Sequence, residues 1–212
     1  MTTPWRDTLL PPRLGERLLR CVVGLFMFGL GISMFLTAKL GLAPWDVLHQ
    51  GISRRTGLPV GVVIEIVGLA LLLLWIPFRL RPGIGTILNA VEIGVVVDLV
   101  ADHLPHTNLL IPRLLYVAGG MISVGIGSGL YIGAGLGTGP RDGLMVGISQ
   151  RGPSIRVART MVEVVVLVAG VALGGSVGLG TVTFMFGIGP VVQFFLPRLR
   201  MHGGHHDLAP AH

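Results

Sequence analysis

The chain has 212 residues, of which 51% are hydrophobic and 12% charged, about half the charged fraction of an ordinary soluble domain. With 33 Gly and a mean hydropathy of +0.79, it excludes a disordered chain, a disulfide-stapled domain and a water-soluble globule, whose interior is too small to hide so much apolar side chain. The formal charge of +6 is the excess of 15 Arg and one Lys over ten acidic residues, the basic ones lying at the edges of apolar runs with no basic stripe interleaved with aromatics. This is the positive-inside bias of a membrane protein, and no nucleic-acid partner is expected.

In chain order, six apolar stretches approach the roughly 20 residues that cross a hydrocarbon core: Arg20 to Ala38, Val60 to Pro77, Gly83 to Val100, Leu114 to Leu136, Ala158 to Gly174 and Val177 to Leu196. The first is longer than a signal-peptide core and no A-x-A site follows it, so it is expected to stay as a helix. Cys21, within it, is the only cysteine and excludes an intrachain disulfide or a Cys-based zinc site. If the N-terminus is cytoplasmic, twelve basic residues fall inside and four outside. Both termini are therefore placed in the cytoplasm. The tail from residue 201, with His202, His205 and His206, is expected to be disordered.

The chain repeats itself. At an offset of 96, Arg17 to Ser53 matches Arg113 to Ser149 at 15 of 37 residues, including Gly41/Gly137, Pro44/Pro140 and Asp46/Asp142. Glu65 then answers Glu163, and GIGT at Gly83 answers GLGT at Gly178. Three spans per copy is an odd number, so the second copy lies upside down relative to the first, as in many secondary transporters. The expected fold is an all-α polytopic membrane protein: six transmembrane helices in one domain, as two inverted repeats of about 13–100 and 113–197.

After its first span each repeat has a broken segment, GLAPWDVLHQGIS or GTGPRDGLMVGIS. Gly and Pro end the preceding helix, and Asp46 or Asp142 is positioned to cap a short helix of about eight residues. One reading is a surface helix; the other is a re-entrant half-helix whose unwound start lines a cavity, the only place where irregular backbone survives at membrane depth. The duplicated Pro-x-Asp favours the second.

Glu65 and Glu163 lie deepest within apolar helices, where a carboxylate must be protonated, paired or turned inward. Arg159 is one helical turn before Glu163 and is its expected partner. Glu65 has no charged residue at helical spacing, which makes it the expected proton carrier. Asn89 and Glu92 share a helix face and have apolar or Gly counterparts in the second copy, Phe184 and Gly187, so they are free to serve a ligand. The candidate solute or ion pathway is Asp46, Glu65, Asn89, Glu92, Pro140, Arg141, Asp142, Arg159 and Glu163. Gly125, Gly129, Gly133 and Gly137 recur every four residues, a spacing that brings helix backbones together.

No GxSxG, HExxH or comparable enzyme signature occurs, so neither catalysis nor a cofactor or metal is expected. The run GLGTGPRDGLMVGIS, the Arg159-to-Glu163 helix start, and GGSVGLGTVTF followed by Gly-Pro resemble the YczE/YitT-type bacterial integral membrane proteins. The resemblance runs from about Arg13 to Pro197, with PRDGLM its most specific element. It implies a six-helix protein of the bacterial plasma membrane.

The expected function is secondary transport or export of a small solute, coupled to protons through Glu65 and Glu163. The alternative is a non-transporting membrane scaffold that docks a protein partner, which needs no water-filled cavity. Besides the lipid bilayer and the solute, a second copy of the chain in a homodimer is a candidate partner. The topology is tested in a Cys21→Ala background: Gly204→Cys should stay hidden from an impermeant thiol reagent in intact cells and His106→Cys should react, and the reverse pattern would invert the assignment.

Overall fold

The computed structural model describes residues 13–201; the tail expected to be disordered lies outside them except for its first residue, Met201, which is instead buried and donates its N–H to the Gly133 carbonyl at 2.9 Å. All the described secondary structure is helical: α1 (Leu14–Ala38), α2 (Pro44–Thr56), α3 (Val60–Phe78), α4 (Ile84–Ala101), α5 (Leu110–Gly133), α6 (Pro140–Ser149), α7 (Ile155–Ala172) and α8 (Leu179–Leu199). Large apolar side chains face outward on these helices, Ile111 at 73% and Phe186 at 78% exposure among them. That pattern suits lipid and would be ruinous in water.

The six long helices fall on the six apolar stretches, with ends shifted by a few residues. Five of them, α1, α3, α4, α5 and α8, are long and apolar enough to cross a membrane. The remaining one, α7, has 18 residues but carries Arg156, Arg159 and Glu163. The predicted fourth span overran its helix: α5 stops at Gly133, because Gly135 and Gly137 adopt φ of +67° and +123°.

α1 and α5 form the central seam and run antiparallel. A Cβ on Gly24 would sit 2.8 Å from the Gly127 carbonyl oxygen, and one on Gly31 would sit 2.7 Å from that of Gly120. Four glycines thus let the backbones touch, and Ser123 Oγ donates across the seam to the Met27 carbonyl at 2.6 Å. The other face of α5 presents Gly125, Gly129 and Gly133 to Val191, Phe195 and Leu199 of α8. The glycine stripe is packing, as its spacing suggests, up to the point where the helix ends.

Several contacts occur twice, once in each half. Buried Arg17 donates to the Ala134 carbonyl at 2.7 Å, and Arg113 donates to the Ala38 carbonyl at 2.7 Å. Gly85 N–H reaches the Leu136 carbonyl at 2.9 Å, and Gly180 N–H reaches the Leu40 carbonyl at 2.8 Å. Thr86 and Thr181 each accept their own N-cap amide, from Gly83 and Gly178, at 3.2 Å. Each half therefore anchors its last helix on the other half's broken segment. The packing is duplicated in the same way: α1 on α4 and α5 on α8, and α2 on α3 and α6 on α7, within the halves, and α2 on α7 and α6 on α3 between them. One seam breaks it. α3 packs along α4, but α7 and α8 have no comparable seam.

The broken segments differ from the sequence reading in two respects. α2 and α6 are 13 and 10 residues long, against the eight expected. Asp46 and Asp142 are not N-caps: Ala43 and Gly139 hold the cap positions and make no side-chain cap bond. Pro44 and Pro140 take the first helical position, where a missing N–H costs nothing, and this pushes each Asp to the third. Residues 44–47 of α2 are buried while Arg54 and Arg55 are exposed, so α2 enters the protein by its N-terminal end.

Overpacking the central seam should be costly. Gly31→Ala should destabilise the detergent-solubilised protein by about 1–3 kcal/mol, whereas Gly15→Ala, with nothing within 4 Å of the added Cβ, should not lower its thermal midpoint. Equal effects would remove the seam's structural priority.

Candidate functional site: two cavities at the broken helices

Two cavities flank the α1–α5 seam. The larger, about 570 Å³, lies in the open cleft between α7 and α8, and its walls include Val124, Ser128, Tyr131, Arg141, Asp142, Met145, Arg159, Glu163, Phe184, Ile188 and Gln193. The smaller, about 50 Å³, lies among α1, α2, α3, α4 and the start of α6, lined by Ile32, Asp46, His49, Gly68, Asn89, Ile93 and Pro140 among others. Phe28, Trp45 and Arg141 line both and form the partition between them. Only the larger falls within the roughly 300–1,000 Å³ of ordinary ligand pockets.

The walls correspond through the repeat. Phe28, Ile32, Trp45, Asp46 and His49 of the small cavity match, at an offset of 96, Val124, Ser128, Arg141, Asp142 and Met145 of the large one. Asn89 and Ile93 match Phe184 and Ile188 at 95. The two cavities are thus equivalent places in the two halves, one small and the other large.

Around the large cavity two side-chain pairs form. Arg159 Nε donates to Glu163 Oε1 at 3.0 Å, the pairing expected from their spacing. The Tyr131 hydroxyl, on a side chain buried at the end of α5, donates to Asp142 Oδ2 at 3.2 Å. Arg141 stacks over the Phe28 ring, 5.0 Å from its centroid, and among the described residues it makes no ion pair. Asn89 and Asp142 meet at Gly139: the carboxamide oxygen and Asp142 Oδ2 lie 3.3 and 3.4 Å from where a Cβ there would stand. Pro140 contributes backbone, its carbonyl accepting from buried Trp75 Nε1 at 2.9 Å, which pins the start of α6 to α3.

At the small cavity, Asp46 is buried with His49, and His49 Nδ1 stands 3.4 Å from Asp46 Oδ1. Trp45 is 5% exposed, and its Nε1 has no acceptor among the described residues.

The structure therefore gathers Arg141, Asp142, Arg159 and Glu163 at the large cavity, and Asp46, Asn89, Pro140 and Arg141 at the small one. Glu65 and Glu92 line neither. Glu65 is half-buried on α3 with its stem against Gly94 of α4. One turn earlier, Asp98 accepts the Gly61 and Val62 amides at 2.7 and 3.1 Å and so serves as the N-terminal cap of α3. Sequence reasoning missed Trp45, Tyr131, His49 and Gln193. Trp45 and His49 stand next to positions matched between the repeats, the one signal that could have raised them above ordinary packing residues; Tyr131 and Gln193 carry no such signal.

A cap donated from another helix predicts a measurable difference between two acids on the same pair of helices. Asp98→Ala should lower stability by about 1–2 kcal/mol, whereas Glu65→Gln should stay within about 0.5 kcal/mol of the parent. Thermal unfolding in detergent checks both; a larger loss for Glu65→Gln would give that residue a partner the geometry does not show.

The sequence relatives agree with this reading of a membrane protein. The chain is 40% identical over 195 residues to an uncharacterized protein of Haemophilus influenzae, covering 92% of this chain and 89% of that one. It is 34% identical to the uncharacterized membrane protein YczE of Bacillus subtilis, covering 82% and 83%, and 28% identical to YyaS of the same organism, covering 85% and 92%. No solved structure matches it. Residues 15–197 match the family of unknown function DUF6198, and the chain belongs to that family of YczE-like membrane proteins.

Proposed function

We propose that the protein is a secondary transporter of a small solute in the bacterial plasma membrane. Its six long helices cross the bilayer as two three-helix repeats of opposite topology, with both termini cytoplasmic. The charges of α7 do not argue against a sixth span: Arg159 and Glu163 pair with each other at the cavity, and Arg156 lies in the first turn, where the cytoplasmic end of a span carries basic residues.

The observation that carries this reading is the pair of equivalent, unequal cavities on either side of one partition. A transporter built from repeats changes access by giving each half the conformation of the other. Here α3 packs along α4 beside the small cavity, while α7 and α8 stand apart at the large one. With cytoplasmic termini, the open cleft faces the cytoplasm. Proton coupling is assigned to Asp142 and Glu163, the carboxylates that reach this cavity, instead of Glu65.

Labelling of equivalent positions distinguishes transport from a static scaffold. In a Cys21→Ala background, Ile188→Cys in the open cavity should react quickly with an impermeant maleimide from the cytoplasmic face. Ile93→Cys, its buried counterpart in the small cavity, should react slowly and from the opposite face. Complete protection of Ile93→Cys from both faces would favour the scaffold.

A further inference from the structure

The partition has more hydrogen-bond donors than acceptors. Arg141 and Trp45 occupy equivalent positions in the two halves, each directly before the Asp of its Pro-x-Asp, and both line both cavities. Trp45 Nε1 is buried without an acceptor. Arg141 lies over the Phe28 ring, a contact that uses the face of the guanidinium and leaves its edge N–H groups available. The nearby carboxylates already have donors: Asp46 has His49, Asp142 has Tyr131, and Glu163 has Arg159. Beyond the partition the open cavity is walled largely by apolar side chains, including Val124, Met145, Phe184 and Ile188.

Building on the transport reading, we infer that the solute is an amphipathic organic anion, its anionic head held by Arg141 at the partition and its apolar body along the α6–α8 wall. A guanidinium edge matches a carboxylate or phosphate with paired, charge-assisted hydrogen bonds. Trp45 lines the same partition from the other half with its N–H buried beneath the cavity surface, so a head group on Arg141 lies against both halves. A cationic solute would meet Arg141 at close range and find the carboxylates taken.

Three probes with one apolar body isolate the charge. Phenylacetate, phenylacetamide and phenethylammonium are each added to the purified full chain in neutral detergent, and thermal unfolding is followed. Phenylacetate at saturating concentration should raise the midpoint by about 5 °C or more, and the amide and the ammonium should not. Arg141→Gln should weaken phenylacetate binding by about tenfold to hundredfold and Arg141→Lys by less, whereas Arg159→Gln, whose side chain serves Glu163, should retain the preference for the anion. Phosphatidylglycerol nanodiscs form a second arm: competition between this lipid and phenylacetate places an anionic headgroup at the same site, and its absence leaves the dissolved anion as the occupant. Equal stabilisation by the amide, preference for the ammonium, or stabilisation by none of the three would overturn the inference. Labelling of Ile93→Cys from the far side is independent of these outcomes, so the two ideas can fail separately.

Discussion

Everything in this fold depends on how closely α1 and α5 approach. Lipid offers no hydrophobic reward for pairing two apolar helices, so their association rests on backbone contact, van der Waals packing and cross-helix hydrogen bonds. Gly24, Gly31, Gly120 and Gly127 provide the contact, and Ser123 provides a hydrogen bond across it. Arg17 and Arg113 close the two ends by taking up the last carbonyls of the facing helices. Bulk at any of these glycines would separate the halves and leave those carbonyls without donors in a place where water cannot replace them.

From this seam the rest is positioned by exchange. Each half fixes the N-terminal end of its last helix on the other half's broken segment, through Gly85 to Leu136 and Gly180 to Leu40. The start of α2 or α6 is thereby held beside the seam, where its Asp and the preceding residue meet the partition. Gly41 and Gly137 turn the chain with positive φ there, a conformation in which a Cβ would be strained. The same arrangement leaves the α3–α4 and α7–α8 seams as the elements free to differ, and they do differ. The polar residues beside the partition are thus placed there by how the halves are joined, and the unequal cavities accompany the difference between the two seams.

Much of this was legible in the sequence, and the reasons for the rest are specific. The long helices follow from apolar runs ended by Gly and Pro, and the repeat follows from ordered matches of Pro, Asp, Glu and Thr. The roles of the acids were less legible. Proline's preference for the first helical position moved Asp46 and Asp142 from cap to third position, freeing them to accept from His49 and Tyr131. Asp98 caps α3 from α4, a long-range bond that spacing within one helix cannot reveal. Glu65 looked exceptional because it lacks a charged neighbour in its own helix, but only packing shows that its stem crosses Gly94 away from both cavities. Trp45 and Tyr131 carry their chemistry on single N–H and O–H groups inside aromatic bodies, and composition counts such residues as core.

The most direct test of the central claim is the distance across both outer seams in one membrane sample. Spin labels at Arg156 and Arg198 report on the α7–α8 seam, and labels at their repeat equivalents, Leu58 and His103, report on α3–α4. If the halves exchange conformations, pulsed dipolar spectroscopy in nanodiscs should find a short and a long distance for each pair, with populations that vary in opposite directions. One fixed long distance at α7–α8 together with one fixed short distance at α3–α4, unchanged by pH or added anion, would contradict alternating access and leave a rigid asymmetric scaffold.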